Sequence, residues 1–237
     1  MSAPTKGEAE RIAEGVWLVR GGVPRVMNVF MIEDEGGVTL LDAGIRAMTA
    51  QIQAAAASLG GVRRVVLGHA HPDHRGAAPG LGAPVMCHPA EQADAEGDGG
   101  VHYFDYSRLR PYARPVFPSL LRHWDGGPVE VSATVDEGDE VAGFEVIHAP
   151  GHAPGLIALW RERDRLLLSS DAFYTLDPQT GIKRPPGLPH SAFNLDDDDA
   201  RRSLLKLAAL EPNLVWPGHT EPIRESPAIV LRRIAAA

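Results

Sequence analysis

The chain has a single cysteine, Cys87, so it cannot close an intramolecular disulfide, and its redox compartment is left open by that route. Pro84-Val85-Met86-Cys87 reads as a buried strand and the thiol as a core group rather than a reactive one. No apolar run approaches the roughly 20 residues of a bilayer-spanning helix, and Met1-Ser2-Ala3-Pro4-Thr5-Lys6 is too polar for a signal-peptide core. A cytoplasmic location with no membrane partner is expected. Basic charge is also short, with 23 Lys and Arg against 31 Asp and Glu for a formal charge of −8. That argues against a nucleic-acid partner, since phosphates ask for a basic stripe. What remains is 237 residues, enough for one large core, and a single α/β domain over 1–237 is the expectation.

Against that background His69-Ala70-His71-Pro72-Asp73-His74 stands out, because it places four metal-capable side chains at the end of the apolar run Arg64-Val65-Val66-Leu67-Gly68. Alternation along an extended chain would put His69, His71 and Asp73 on one side, with a turn at Pro72-Asp73 bringing His74 around. One zinc ion takes three or four N, O or S ligands, so a group this tight can serve two neighbouring ions. Three more ligand-type residues follow short apolar runs: His152 after Phe144-Glu145-Val146-Ile147, Asp171 after Leu166-Leu167-Leu168-Ser169-Ser170, and His219 beyond Asn213-Leu214-Val215. Ligands gathered on several strand ends are how a rigid sheet positions a metal centre.

Elsewhere strands alternate with helices. Val16–Val19, Val26–Ile32 and Val38–Leu41 read as an opening meander with a turn in Glu33–Gly37. Ile45, Met48, Ile52, Ala55 and Leu59 recur at helical spacing, and Gly60-Gly61 ends that helix. Asp196–Asp199 suits the positive end of a helix over Ala200–Leu210 better than a metal. These elements allow helices on both faces of two mixed sheets. His88, His102, His123, His148 and His190 have no second ligand type at metal spacing and are read as structural or exposed.

The pattern His-x-His-x-Asp-His followed by a later His, an Asp and a final His resembles the metallo-β-lactamase superfamily, over about Val16 to Ile223. The resemblance implies an αββα sandwich. It also implies two divalent metal ions, zinc first with iron or manganese as alternatives. His69, His71 and His152 would hold one, Asp73, His74 and His219 the other, and Asp171 would bridge them, with Asp42 in support. Two positions depart from the pattern: Gly68 replaces the usual Thr or Ser before the first His, and Ser170 replaces the usual Gly before the bridging Asp. Both touch the support of the ligands rather than ligation itself.

Two cations sharing a carboxylate, ~3.5–4 Å apart, can hold a hydroxide that attacks a carbonyl at neutral pH. Asp73 would orient it, and Tyr174, at an offset that resembles the substrate-contacting Tyr of N-acyl homoserine lactonases, would meet the developing oxyanion. The expected enzyme is a dinuclear metallo-hydrolase of a small ester-like carbonyl substrate, with a lactone ahead of a glyoxalase II-like thioester. The eighteen residues after His219 leave no room for a glutathione-binding helical region. An iron-dependent persulfide dioxygenase is the alternative of another class. Val101–Trp124 holds six of the chain's fourteen aromatic residues, three prolines and four arginines. It reads as an insert lining an apolar pocket with cations at its rim, or else as a contact in a homo-oligomer.

Overall fold

The computed structural model describes residues 9–22 and 24–237, so the polar N-terminal hexapeptide lies outside the described residues. The first sheet takes its strands in chain order: β1 Glu10–Ala13, β2 Val16–Gly21, β3 Met27–Asp34, β4 Gly37–Leu41, β5 Val62–Val66, β6 Val85–Cys87 and β7 Val131–Thr134. It is antiparallel from β1 to β4 and parallel from β4 to β7. There follow β8 Glu140–Val141, β9 Phe144–His148, β10 Ile157–Arg161, β11 Leu166–Leu168, the hairpin β12 Tyr174–Leu176 and β13 Lys183–Gly187, and β14 Leu214–Trp216. The second sheet has the order β14-β11-β10-β9-β8, with β12 and β13 apart from it.

The strands read as continuous apolar runs because alternate side chains enter different cores. Phe30 and Ile32 of β3 meet Phe144, Val146, Leu159, Leu168 and Trp216 between the sheets. Val29 and Met31, one residue out of phase, face the opposite way and pack with Ile52, Ala55 and Ala56 of α1 (Thr49–Ala57). On the far side Ile147, Ala158, Leu167 and Val215 pack on Leu204 and Leu207 of α6 (Asp197–Ala209) and Leu231 and Ile234 of α7 (Pro227–Ala235). The layers are therefore αββα.

The expected helix from Ile45 to Leu59 is split into a 3-10 turn, Arg46–Met48, and α1. Between these and the second sheet lie α2 (Pro72–Arg75), α3 (Ala78–Leu81), α4 (Gln92–Ala95) and α5 (Phe117–Trp124), while α6 and α7 close the chain. Asp196 caps α6, accepting from the amides of Asp198 and Asp199, so the acidic run does sit at a helix start. Cys87 is fully buried, and burial followed by Glu91 and Glu96 pushes its thiol up to about 12, as suits a core group. Among the described residues no helix is long and apolar enough to cross a membrane.

The insert forms two 3-10 turns, Val101–Tyr103 and Tyr106–Arg108, and then α5. Pro118 stands in the first turn of α5, where its missing N–H does no harm. Leu109, Ala113, Phe117 and Leu121 pack there against Ala192 and Phe193 in a small core of their own.

Candidate metal centre

The loops after β4, β5, β9, β11 and β14 open on one edge of the sandwich and bring all seven candidate ligands together. Ligand atoms of His69, His71 and His152 lie within 4.8 Å of one another, as do those of Asp73, His74 and His219. Asp171 stands between the groups: its Oδ2 is 3.1 Å from His219 Nε2, 3.2 Å from His74 Nε2 and 3.7 Å from His152 Nε2. The route to this arrangement differs from strand alternation. β5 ends at Val66, and Pro72 opens α2, so Asp73 and His74 reach the site from a helical turn rather than an extended chain.

Each loop is tied down by a buried polar side chain. Asp42 adopts a left-handed φ of 61°, which a short polar side chain tolerates. Its carboxylate accepts from Gly68 N at 2.7 Å and Ser170 Oγ at 2.9 Å, and lies 2.9 Å from His74 Nδ1. Glu91 accepts from Ala70 N and Gly155 N, both at 2.7 Å, and so joins the loop carrying His69 and His71 to the loop carrying His152. His152 Nδ1 lies 3.0 Å from Asn194 Oδ1, whose amide donates to Asp197 in the first turn of α6. Asn28 donates to the carbonyls of Pro217 and Thr220 on either side of His219. A Cβ on Gly218 would come within 2.3 Å of Asp171 Oδ1, so only glycine lets that loop approach.

Gly68 and Ser170, the two departures from the superfamily pattern, prove to be one feature. A Cβ at residue 68 would lie 2.4 Å from Ser170 Oγ. That hydroxyl reaches both Asp42 and, at 3.3 Å, His69 Nδ1. The hydroxyl usual at 68 is supplied from 170, where the backbone holds a φ of 43° that favours glycine.

Ser170, Tyr103 and Asn194 engage one ring nitrogen of His69, His71 and His152 and leave the other for a metal, while Asp42 lies against His74 Nδ1 and His219 turns its Nε2 toward Asp171 and Asp73. At the site His69 Nε2, both ring nitrogens of His74, His152 Nε2, His219 Nδ1 and Asp171 Oδ1 are buried without a hydrogen bond among the described residues. Orphaned buried polar atoms are costly, and this donor set fits divalent cations. Burial first, then neighbouring imidazoles, holds His69 and His71 well below the ordinary histidine range; burial also lowers His152, and all three are neutral donors. For His74, burial alone would lower the pKa, yet Asp171, Asp42 and Asp73 raise it well above normal; His219 is raised by Asp171 and Asp73 against the same burial. Asp171 is held well below the carboxylate range because His219 and His74 outweigh its burial.

The pocket above is lined by His71, Asp73, Tyr174 and His219 and, from the insert, by Phe104, Phe117, Leu120, Leu121 and Trp124. The insert therefore does wall the site, but Tyr103, Tyr106 and Tyr112 are not among the lining residues. Tyr103 instead puts its hydroxyl 2.6 Å from His71 Nε2. The Tyr174 ring is buried, 5.8 Å from that of His152 and 5.6 Å from that of His219. Burial, then Asp171 and Asp73, raises its pKa well above the usual value, so the hydroxyl keeps its proton.

The other histidines separate by role. His88 caps a 3-10 turn and stacks on His148, rings 4.0 Å apart, while His148 Nε2 lies 3.1 Å from Pro154 O and steadies the His152 loop. His123 is exposed. His102 does find acidic neighbours, Asp94 and Asp98, in a largely exposed cluster. His190 lines a hollow beside the pocket rather than the pocket itself. Sequence reading missed Asn28, Glu91, Asn194 and the role of Tyr103.

Two facing sheets with helices outside and His/Asp clusters at one edge define an αββα metalloprotein that takes divalent metal ions. The profile described as "Metallo-beta-lactamase superfamily" matches residues 22–219, and the chain belongs to that superfamily. It is 29% identical over 234 residues to the probable metallo-hydrolase YflN of Bacillus subtilis (strain 168), covering 86% of this chain and 84% of the relative. A metallo-beta-lactamase family protein from Thermus thermophilus superposes with a TM-score of 0.65 at 26% identity, over 95% of this chain and 78% of that one. TTHA1623, solved in a di-iron-bound form, gives a TM-score of 0.62 at 26% identity, over 92% and 97%.

Proposed function

We propose that the chain is a dinuclear metallo-hydrolase, with His69, His71 and His152 holding one cation, Asp73, His74 and His219 a second, and Asp171 both. The observation that carries this is Asp171 Oδ2, which lies within 3.7 Å of imidazole nitrogens from both groups. The kinship with probable metallo-hydrolases supports it. Zinc suits the donor set, with iron or manganese as alternatives, and the di-iron form of TTHA1623 keeps iron in view.

A metal pair bound there supplies a water acidified to a pKa of about 7 and a Lewis acid for the carbonyl. The chain's residues do the rest. Asp73 faces the pocket with its side chain 17% exposed, where it can accept a hydrogen bond from the attacking water and orient it. Tyr174, kept protonated, donates to the carbonyl oxygen as that oxygen gains charge. Phe104, Leu121 and Trp124 give an apolar wall that excludes bulk water. The substrate class is a small ester-like carbonyl, with a lactone ahead of a thioester.

His74 weighs against a mononuclear persulfide dioxygenase. A carboxylate at its Nδ1 and Asp171 at its Nε2 give it the setting of a metal ligand. Metal analysis should return two equivalents per chain. A screen of the metal-loaded protein against lactones, aryl esters, thioesters, β-lactams and a persulfide should find hydrolysis that is unaffected by removing oxygen. One equivalent, with oxygen-dependent sulfur oxidation, would overturn the assignment.

A further inference from the structure

Resting on the hydrolase reading, we infer that the substrate carries an anionic arm, a carboxylate or phosphate remote from the scissile carbonyl, and that a cationic hollow beside the metal pocket binds it. The metal pocket encloses about 200 Å³, below the roughly 300–1,000 Å³ of most small-molecule sites. It takes the reacting end of a substrate, and the remainder must pass over the rim. Part of that rim is Pro178-Gln179-Thr180, in the turn between β12 and β13, and the same three residues wall a second hollow of about 700 Å³. Gln179 Oε1 accepts from Arg110 N at 2.7 Å, which holds the turn to the insert and sets the spacing of the two cavities.

Arg108, Arg110, Lys183, Arg184 and His190 line the second hollow, and Asp177 is the one carboxylate among its lining residues. In a chain of formal charge −8, this convergence of four permanent cations from the insert and from β13 goes against the composition. Their existing partners are weak or shared. Arg108 pairs with Asp105 at 3.0 Å and Arg110 with Asp177 at 3.3 Å, both arginine side chains more than half exposed, where such pairs contribute only ~0–1 kcal/mol. Lys183 reaches Glu221 at 3.5 Å, but Glu221 already accepts two bonds from Arg20. Arg184 has no carboxylate partner among the described residues. Its Nε and Nη2 donate to the carbonyls of Leu176 and Leu188, which fix the guanidinium without neutralising it. Burial lowers the His190 pKa against Asp177, with Arg184, Arg110 and Arg108 adding to the fall. A cleft lined by one sign of charge concentrates the opposite sign.

The test uses three 4-nitrophenyl esters of equal chain length, ending in a carboxylate, a phosphate or a neutral carboxamide, with the full-length metal-loaded protein. At least one anionic ester should be hydrolysed with kcat/KM about tenfold above the neutral one, the scale of one charge-assisted hydrogen bond. Arg110→Gln/Arg184→Gln should raise KM for that ester about tenfold with kcat unchanged, and leave the neutral ester within about twofold. Lys183→Gln, at a side chain with no backbone bond to lose, should shift KM in the same direction if the double variant does not fold.

Calorimetry with adipate and hexyl phosphate, which carry no scissile ester, gives a readout independent of turnover. Binding to the native protein that falls in the variants supports the hollow even if none of the esters is cleaved, a result that would sink only the hydrolase reading. Preference for the carboxylate or the phosphate assigns the arm. Hydrolysis that treats the three esters alike, with neither anion bound, would overturn the inference and leave the hydrolase standing.

Discussion

The strand-end loops beneath the candidate ligands and the insert above them satisfy their polar groups in different ways. Below, amides of Gly68, Ala70 and Gly155 end on two carboxylates, Asp42 and Glu91, both fully buried. A buried amide that loses such a partner has no water to turn to. Above, the insert makes ring contacts, with Phe193 5.1 Å from Phe104 and 5.0 Å from Phe117, beside a few bonds at its surface, and it carries a Tyr112 that is 56% exposed. Ring pairs of this kind are worth about 0.5–1.5 kcal/mol each and tolerate small shifts. The loops thus hold one geometry, while the insert can be reshaped cheaply. Substitutions below should act on metal and kcat, and substitutions above on KM, except at Tyr103, whose hydroxyl meets His71 Nε2.

The severest break should come from Asp171→Asn, which removes charge from the carboxylate that stands between the two histidine groups. A loss on the order of 10³-fold in kcat, equivalent to about 4 kcal/mol of barrier, is expected. His74→Ala should fall comparably, with metal content read alongside. A mild effect of His74→Ala would leave one group of ligands without a role.

Next is Glu91→Ala, which strands the amides of Ala70 and Gly155. It should cost roughly 2–4 kcal/mol in urea unfolding and weaken metal binding by about 10–100-fold, although Glu91 bonds to backbone amides and not to the side chain of a candidate ligand. The cost should also depend on pH. Burial raises the Glu91 pKa from 4.5 to about 7, against the two amides, with Asp94 adding to the rise. The native protein then retains a proton that the unfolded chain loses, so its stability falls as pH rises from 4.5 through 7, by at most about 3 kcal/mol. Cys87 and Tyr103 also feel Glu91, but both stay protonated over this range. In the metal-free protein the penalty of Glu91→Ala should be larger at about pH 5 than at about pH 8. A penalty that is flat with pH would show that the carboxylate ionises as in water.

Gly68→Ser alone should destabilise by about 1–3 kcal/mol through overpacking against Ser170. Gly68→Ser with Ser170→Gly should recover most of that in thermal unfolding. Smallest is the insert. Phe104→Ala should raise KM several-fold with little change in kcat, the signature of lost uniform binding. Tyr103→Phe, acting through His71, should lower kcat instead. A KM-only effect of Tyr103→Phe would show that its hydroxyl does not act through His71, and a fall in kcat for Phe104→Ala would break the division between loops and insert.

The seven candidate ligands could be picked out because four fall in one hexapeptide behind an apolar run and three follow further short runs, a pattern that survives without any knowledge of pairing. The runs allowed helices on both faces of two mixed sheets, and it was the resemblance to the metallo-β-lactamase superfamily that implied the sandwich. Asp73 was misplaced on an extended chain although Pro72, a residue suited to a first helical position, stood beside it. The supporting residues could not be read. Asn28 serves a loop 189 residues away and Asn194 a histidine 42 away, and nothing local distinguishes either from a surface amide. The edge strand β1 and the hairpin β12–β13 were also missed. The first is short and exposed, and the second contains Pro185-Pro186, which argues against a strand except at an edge.

The hydroxyl that stands on residue 170, in the space a side chain at residue 68 would take, bears on how this protein can be changed. A graft from a relative with the usual arrangement, made one position at a time, meets either two side chains in the space of one or a carboxylate oxygen of Asp42 short of a donor. Neither intermediate says anything about the finished exchange, so a single-site scan would score both positions as intolerant. The unit of substitution here is the pair, and libraries built around this centre should encode it as one choice with two states.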